Sequence, residues 1–329
     1  MPAAVTAGRG GSTGRRGPAT RHLGLDLGGT NLKWAVVEHD GDTWSTLARD
    51  QQPTRLDGDP DRQPAQIVAQ LAEVAAAAVA AWGPVASVGV TVPGRYDPAT
   101  GTATALVNVK GDWAGRPIAA PVAAAGGAPA VLVNDARAFG LAELRLGAGA
   151  EPGVRSLVGL VLGTGVGGVI VLDGRVVEGH DGSAGEIGHQ TIDPDGPWCG
   201  CGNRGCVEAF ARADQIAAAC RAPSVEAAVR AATNGDPVAI HGLAEVGRYL
   251  GIGIANAITL VTPDRVVIGG GVAAAGELLF GPIRAELERR VNMTSLQAVI
   301  LVPAVLGIWA GATGAALYGA DRLPGGIAA

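Results

Sequence analysis

The heptapeptide Gly24-Leu-Asp-Leu-Gly-Gly-Thr30 recurs 135 residues later as Gly159-Leu-Val-Leu-Gly-Thr-Gly165. Each copy runs from apolar residues into a glycine turn, and each is followed by a second β-like run. A match this short also arises by chance. Two copies of one β-hairpin, each opening its own α/β domain, explain it more economically, and 329 residues is a length that suggests two domains. Asp26 aligns with Val161, so only the first copy keeps an acid.

Around these copies, β-like runs alternate with alanine-rich helical patterns, which predicts α/β layers. Leu23–Leu27, Lys33–Glu38 and Thr43–Ala48 read as a meander, and Val85–Val92 and Ala130–Val133 as buried strands. Ile67, Leu71, Val74 and Ala78 are spaced for one helix face within Gln66–Trp82. Asp135 opens a helix through Leu146, and a longer pattern runs from Pro237 to Thr259. Val266–Ile268 is a strand delivering Gly269-Gly270-Gly271.

Composition narrows the function classes. A formal net charge of −5, with Lys33 and Lys110 the only lysines, argues against a nucleic-acid surface. Residues 1–21 lack the apolar core of a secretory signal and read as a disordered tail. Ser156–Leu172 is broken by Gly163-Thr164-Gly165, and Ser295–Ala320 is diluted by Gln297, Pro303 and many small residues. A strand over Ala298–Val305 followed by a helix over Trp309–Tyr318 fits better than a membrane span. The expectation is a cytoplasmic protein with neither membrane nor nucleic acid as partner.

His189, Cys199, Cys201 and Cys206 crowd into the segment Glu186–Glu208, among turn-forming glycines and prolines. A Cys₃His set suits borderline-soft Zn²⁺ in tetrahedral coordination. The spacing differs from that of zinc fingers and suggests a knot that folds a loop. A disulfide and three unrelated buried thiols are the other readings, but Cys-x-Cys strains disulfide geometry and polar turn residues surround the thiols. Cys220, in an alanine-rich stretch, reads as a core thiol.

Gly28-Gly29-Thr30 and Gly163-Thr164-Gly165 are turns rich in backbone N–H groups, either ordinary hairpin turns or cradles for phosphate oxygens. Gly163 to Gly168 also satisfies Gly-x-Gly-x-x-Gly. The dinucleotide fingerprint requires a helix next, whereas a strand follows here, which excludes a Rossmann dehydrogenase. Asn134-Asp135 ends a strand and starts a helix. Asp135 is there either a helix cap or a carboxylate at the strand end where α/β sheets place ligands.

Together these segments resemble the ROK family of bacterial sugar kinases, over nearly everything after residue 22. Asp26-Leu-Gly-Gly-Thr-Asn-Leu-Lys33 is similar to its first phosphate motif, and Gly163-Thr-Gly-Val-Gly-Gly168 to its second. Val133-Asn-Asp-Ala-Arg-Ala138 resembles its catalytic segment, Glu186–Glu208 its zinc and sugar signature, and Ile268-Gly-Gly-Gly271 its adenosine-side turn.

The resemblance implies a two-domain actin-like ATPase (ribonuclease H-like) fold with the sugar in an interdomain cleft. The first domain would span 22–134, completed by a C-terminal helix over 309–322. The second would span 135–308 and carry the zinc loop, 186–208. Asp135 would be the general base toward the sugar's primary hydroxyl, and Asn108, Asn134, Glu186, His189 and Glu208 would bind other hydroxyls. Asp26, Gly28, Gly29, Thr30, Lys33, Gly163, Thr164, Gly165, Gly269 and Gly270 would hold the nucleotide, with Asp26 near Mg²⁺. Zinc would be structural, and His189 would serve both metal and sugar. The implied assembly is a dimer or tetramer.

The implied reaction is ATP-dependent phosphorylation of a hexose, most simply glucose to glucose 6-phosphate. The family's sugar loop usually reads Asn-Leu-Pro-Gly-Trp, whereas this chain has Asn108-Val-Lys-Gly-Asp-Trp113. Lys110 and Asp112 are therefore either solvated charges or contacts for an amino sugar or cyclitol. The family also holds sugar-sensing regulators with a helix-turn-helix domain ahead of the kinase-like part. A first phosphate motif at Asp26 leaves no room for one here, and the retained Asp135 favours an enzyme. ATP and polyphosphate both remain open as donor.

Overall fold

The computed structural model describes residues 19–56, 59–107 and 109–323, which divide into two units. The first runs through Leu146 and resumes at Ile308; the second is Gly147–Gly307.

In the first unit the chain forms β1 (Thr20–Leu27), β2 (Asn31–His39), β3 (Trp44–Pro53), α1 (Gln63–Trp82) and β4 (Ser87–Val92). A small antiparallel sheet follows, β5 (Gly94–Asp97), β6 (Thr102–Leu106) and β7 (Arg116–Pro117). Then come α2 (Ala119–Gly126), β8 (Ala130–Asn134) and α3 (Asp135–Leu146). The second unit holds β9 (Leu157–Leu162), β10 (Val166–Leu172), β11 (Arg175–Val176), α4 (Val207–Ala211), α5 (Ala213–Ala219), α6 (Val225–Thr233), α7 (Pro237–Val261), β12 (Arg265–Gly270), α8 (Glu277–Arg290) and β13 (Ile300–Pro303). The chain ends in α9 (Ala310–Asp321), back in the first unit.

The two main sheets share one topology. Their orders are β3-β2-β1-β4-β8 and β11-β10-β9-β12-β13, each an antiparallel meander continued by two parallel strands. The repeated heptapeptides are the first hairpin of each: Leu27 pairs with Leu32, and Leu162 with Val166. The strand after Gly163–Gly165 is β10, where a dinucleotide fold needs a helix.

Alternation sets the cores. In β1, Leu23, Leu25 and Leu27 are buried, packed with Ile67, Leu71 and Val74 of α1. α1 is the one described helix long and apolar enough to cross a membrane. Its apolar stripe is instead part of this core, and the side chain of Gln70 bonds both Pro53 O (2.8 Å) and the Arg55 N–H (2.9 Å). In the second unit Leu160, Val266 and Ile268 pack with Leu243, Leu250 and Ile254 of α7.

Helix α9 lies tightly on the first sheet. A Cβ on Gly24 or Gly89 would stand 1.8 Å from the carbonyl oxygen of Ala312 or Ala315, so only glycine admits this approach.

The first unit is larger than residues 22–134. Its first strand begins at Thr20, inside the expected tail, whose residues 1–18 lie outside the described ones. Helix α3 also packs here, because Arg145 donates to both carboxylate oxygens of Asp321 in α9 (2.8 and 2.9 Å). A pattern of strands and turns cannot show such a long-range ion pair.

Candidate active site

At the end of β1 in the first unit, Asp26 is held from two sides. The Thr91 hydroxyl donates to its Oδ1 at 2.6 Å, and Lys33 Nζ donates to its Oδ2 at 3.2 Å. Thr91 reaches it because Asp26 and Thr91 are register partners in β1 and β4. The first turn of α9 closes in as well, since a Cβ on Gly311 would lie 2.6–2.8 Å from the Asp26 carboxylate. The turn Gly28-Gly29-Thr30 is strapped by Thr54, whose hydroxyl donates to Gly28 O (2.7 Å) and whose N–H donates to Thr30 O (2.9 Å).

At the end of β8 the cap question resolves. Asn134 Oδ1 accepts the N–H groups of Ala136 (3.0 Å) and Arg137 (3.4 Å), the pattern of an N-cap residue. Asp135 is thus the first helical residue and is solvent-exposed, with one oxygen 2.9 Å from the Ala136 nitrogen. Capping commits Asn134 Oδ1 and leaves its Nδ2 to donate to a ligand. Asn108 lies outside the described residues. Asp112, in the same loop, is exposed and accepts the Ala114 N–H at 3.0 Å, closing its own turn.

In the second unit Glu186 is exposed and precedes the 3₁₀ turn Ile187–His189, where the His189 N–H donates to Glu186 O at 3.0 Å. His189, Cys199, Cys201 and Cys206 then converge, with one potential ligand atom from each lying within 4.8 Å of the others. Cys201 Sγ and Cys206 Sγ are 3.7 Å apart, and Cys199 Sγ is 3.6 Å from His189 Nδ1. Tetrahedral Zn²⁺ with Zn–S bonds of about 2.3 Å requires S···S edges of about 3.8 Å. All four cysteines are unbridged. Geometry and donor set therefore fit one zinc ion. Burial pushes the Cys199 thiol up to about 12 and Cys206 upward too, so their thiolates call for a bound cation, whereas the Asn203 N–H holds Cys201 below the usual thiol range.

Glu208 joins this knot to the second glycine turn. Its Oε2 accepts the Val166 N–H at 2.9 Å, and Cys199 Sγ lies 3.3 Å from its Oε1. A Cβ on Gly165 would stand 2.4 Å from Oε2. Gly163 N–H donates to Gly165 O (2.9 Å), and Gly163 O accepts the Ala213 N–H (2.8 Å), anchoring the turn to α5. On β12, Gly269 pairs with Val161 and Gly270 with Leu162, which brings the third glycine turn beside the second.

Sequence reasoning missed Thr91, Gly311 and the contact of Glu208 with the glycine turn. No local signal marks them, because each acts across 42 to 285 residues of chain.

The ROK family model matches residues 22–321. The glucokinase of Thermotoga maritima is 33% identical over 94% of this chain and all of its own length. The crystal structure of the ROK hexokinase from Thermus thermophilus superposes with a TM-score of 0.76 at 36% identity, covering 91% of this chain and 98% of its own. That of a ROK family glucokinase from Streptomyces griseus, in complex with glucose and AMPPNP, gives 0.72 at 30% identity over 91% and 99%. With these neighbours the paired sheets are those of the actin-like ATPase fold.

Proposed function

The chain belongs to the ROK family, and from that premise we propose that it transfers the γ-phosphoryl group of ATP to the primary hydroxyl of a hexose, glucose being the substrate. The observation that carries the reading is the division of labour at Asn134 and Asp135. Asn134 caps α3, and Asp135 follows it as the first helical residue, a solvent-exposed carboxylate at the strand end with one oxygen on the Ala136 N–H. An ionised carboxylate there holds a hydroxyl by accepting its proton in a hydrogen bond and takes that proton as the O–P bond forms. Phosphoryl transfer through a loose transition state asks mainly for this positioning, plus stabilisation of charge on the phosphoryl oxygens.

The turns Gly28–Thr30 and Gly163–Gly165, with Lys33, supply the donors for those oxygens, and Gly269 and Gly270 take the nucleoside side. Asp26, which Lys33 and Thr91 hold in place, would be the carboxylate that faces the Mg²⁺ accompanying ATP. Asn134, Glu186, His189 and Glu208, together with Asn108, bind the remaining sugar hydroxyls. His189 turns Nδ1 to the cysteines, so Nε2 is its nitrogen for the sugar. Zinc bound at His189, Cys199, Cys201 and Cys206 would supply structural order to the 186–208 loop.

Glucose is favoured over an amino sugar by the glucokinase relatives, that of Thermotoga maritima being 33% identical over 94% of this chain. We also propose a cytoplasmic setting and a homo-oligomeric state. The deciding experiment is a coupled assay with ATP over hexoses, amino sugars and cyclitols. Glucose turnover far above the rest supports the reading, and phosphorylation of none of them refutes it.

A further inference from the structure

Most glycines in the second unit have a reason within the protein. Gly270 has φ of 102°, and a Cβ there would stand 2.0 Å from Leu162 O. Gly163 and Gly271 have neither reason, a property they share with Gly200 and Gly281, which lie away from the strand ends. Neither adopts a positive φ; a Cβ on Gly163 would meet nothing within 4 Å, and one on Gly271 only Glu226 Oε1 at 3.8 Å. They are neighbours, each following directly the last register pair of β9 and β12, Leu162 and Gly270. Adjacent strands lie about 4.8 Å apart. A glycine required neither by its backbone nor by its surroundings, at paired strand ends, keeps space for a ligand.

Glu226 overhangs that space. It sits in the first turn of α6, whose start is fixed by Ser224, the cap that accepts the Ala227 N–H at 3.2 Å. The Ser224 hydroxyl, followed by its own backbone N–H, holds the Glu226 carboxyl below the usual range. Glu226 is therefore an exposed, oriented anion, one strand over from the turn assigned to phosphates.

We propose that Glu226 binds the ribose hydroxyls of the phosphoryl donor and so selects a ribonucleoside triphosphate over its 2′-deoxy analogue and over inorganic polyphosphate. This rests on the kinase reading above. A carboxylate only accepts hydrogen bonds, and a vicinal diol offers two donors at matching spacing. In a donor lying along these turns, the sugar is the group that follows the phosphates, ahead of the base. A longer polyphosphate would instead carry negative charge toward Glu226, which repels it.

The test uses the full chain and its Glu226→Gln and Glu226→Ala variants. Turnover of glucose is measured with ATP, 2′-deoxy-ATP, ITP and polyphosphate, and binding of ADP and 2′-deoxy-ADP by calorimetry. The unsubstituted protein should prefer ATP to 2′-deoxy-ATP by about tenfold in kcat/KM, the order expected for one lost hydrogen bond to a charged group. In Glu226→Ala that preference should collapse toward unity, with the loss falling on KM for ATP, while polyphosphate is used no less well. A preserved preference in both variants overturns the proposal. So does loss of discrimination between ATP and ITP alone, which would mean that Glu226 reads the base. The ADP pair tests Glu226 without glucose turnover, so failure of the kinase reading and failure of this assignment give different results.

Discussion

Glu208 accepts the Val166 N–H at 2.9 Å, and this one hydrogen bond ties the cysteine knot to the second glycine turn. A residue expected to touch only sugar is thereby also a support for the turn proposed to hold phosphate. Glu208→Ala should raise KM for both sugar and ATP, each by about 10- to 100-fold, since a hydrogen bond to a charged group is worth about 1.5–3 kcal/mol. Glu208→Gln, which can still accept from Val166, should spare ATP more than sugar. Initial-rate kinetics with each substrate varied decide it; an unchanged KM for ATP in the alanine variant would remove the second role.

Asp135→Asn should keep the fold and bind sugar, yet lower kcat by about 10²–10⁴, the usual worth of a positioned base. Asn134→Ala should behave differently, losing about 1 kcal/mol of stability as a deleted helix cap and raising the sugar KM with its Nδ2 gone, while kcat falls less than in Asp135→Asn. Thermal unfolding and turnover, measured on both variants, separate the two roles. Near-full activity of Asp135→Asn would end the assignment of the base.

Elemental analysis of the purified protein should find about one zinc per chain, because closed structural sites hold the metal tightly. Cys201→Ala should lose the metal and raise the sugar KM, with the loop from Glu186 to Glu208 no longer held. Undiminished sugar affinity in a metal-free protein would show that the knot does not organise the sugar ligands.

His22 makes stability depend on pH. Its ring is buried, its Nδ1 bonds Ser87 Oγ at 2.8 Å, and its Nε2 has no partner among the described residues. Burial first, and then the neighbouring charge of His39, lowers its pKa from 6.5 to about 4. Between those values the unfolded chain binds a proton that the folded chain refuses. Stability is therefore fully present above about pH 6.5 and falls as pH drops toward 4, by roughly 3 kcal/mol at the limit. Denaturant unfolding between pH 7 and 4.5 should show the slope, and His22→Leu should flatten it. The same slope in both proteins would place its origin elsewhere.

Asp112→Asn should leave the kcat/KM ratio between glucose and glucosamine within about twofold, since the asparagine oxygen can accept the Ala114 N–H in the same way. A tenfold change in that ratio, about 1.4 kcal/mol, would bring Asp112 back as a substrate contact.

Much of this was legible in order along the chain. The repeated heptapeptide disclosed two matching hairpins, the spacing of Ile67, Leu71, Val74 and Ala78 disclosed the buried face of α1, and the bounds of α3 coincide with the expected Asp135–Leu146. These are local properties, set by side-chain period, turn chemistry and ligand softness within a few residues. Tertiary structure alone decided that Asn134 rather than Asp135 caps α3, because neighbouring cap candidates differ only in the φ/ψ that packing imposes. It alone brought Thr91 to Asp26, Glu208 to Val166, Arg145 to Asp321 and Glu226 over Gly271. Each of those contacts depends on strand register or helix docking between distant segments, and no residue carries the address of its partner in its own neighbourhood.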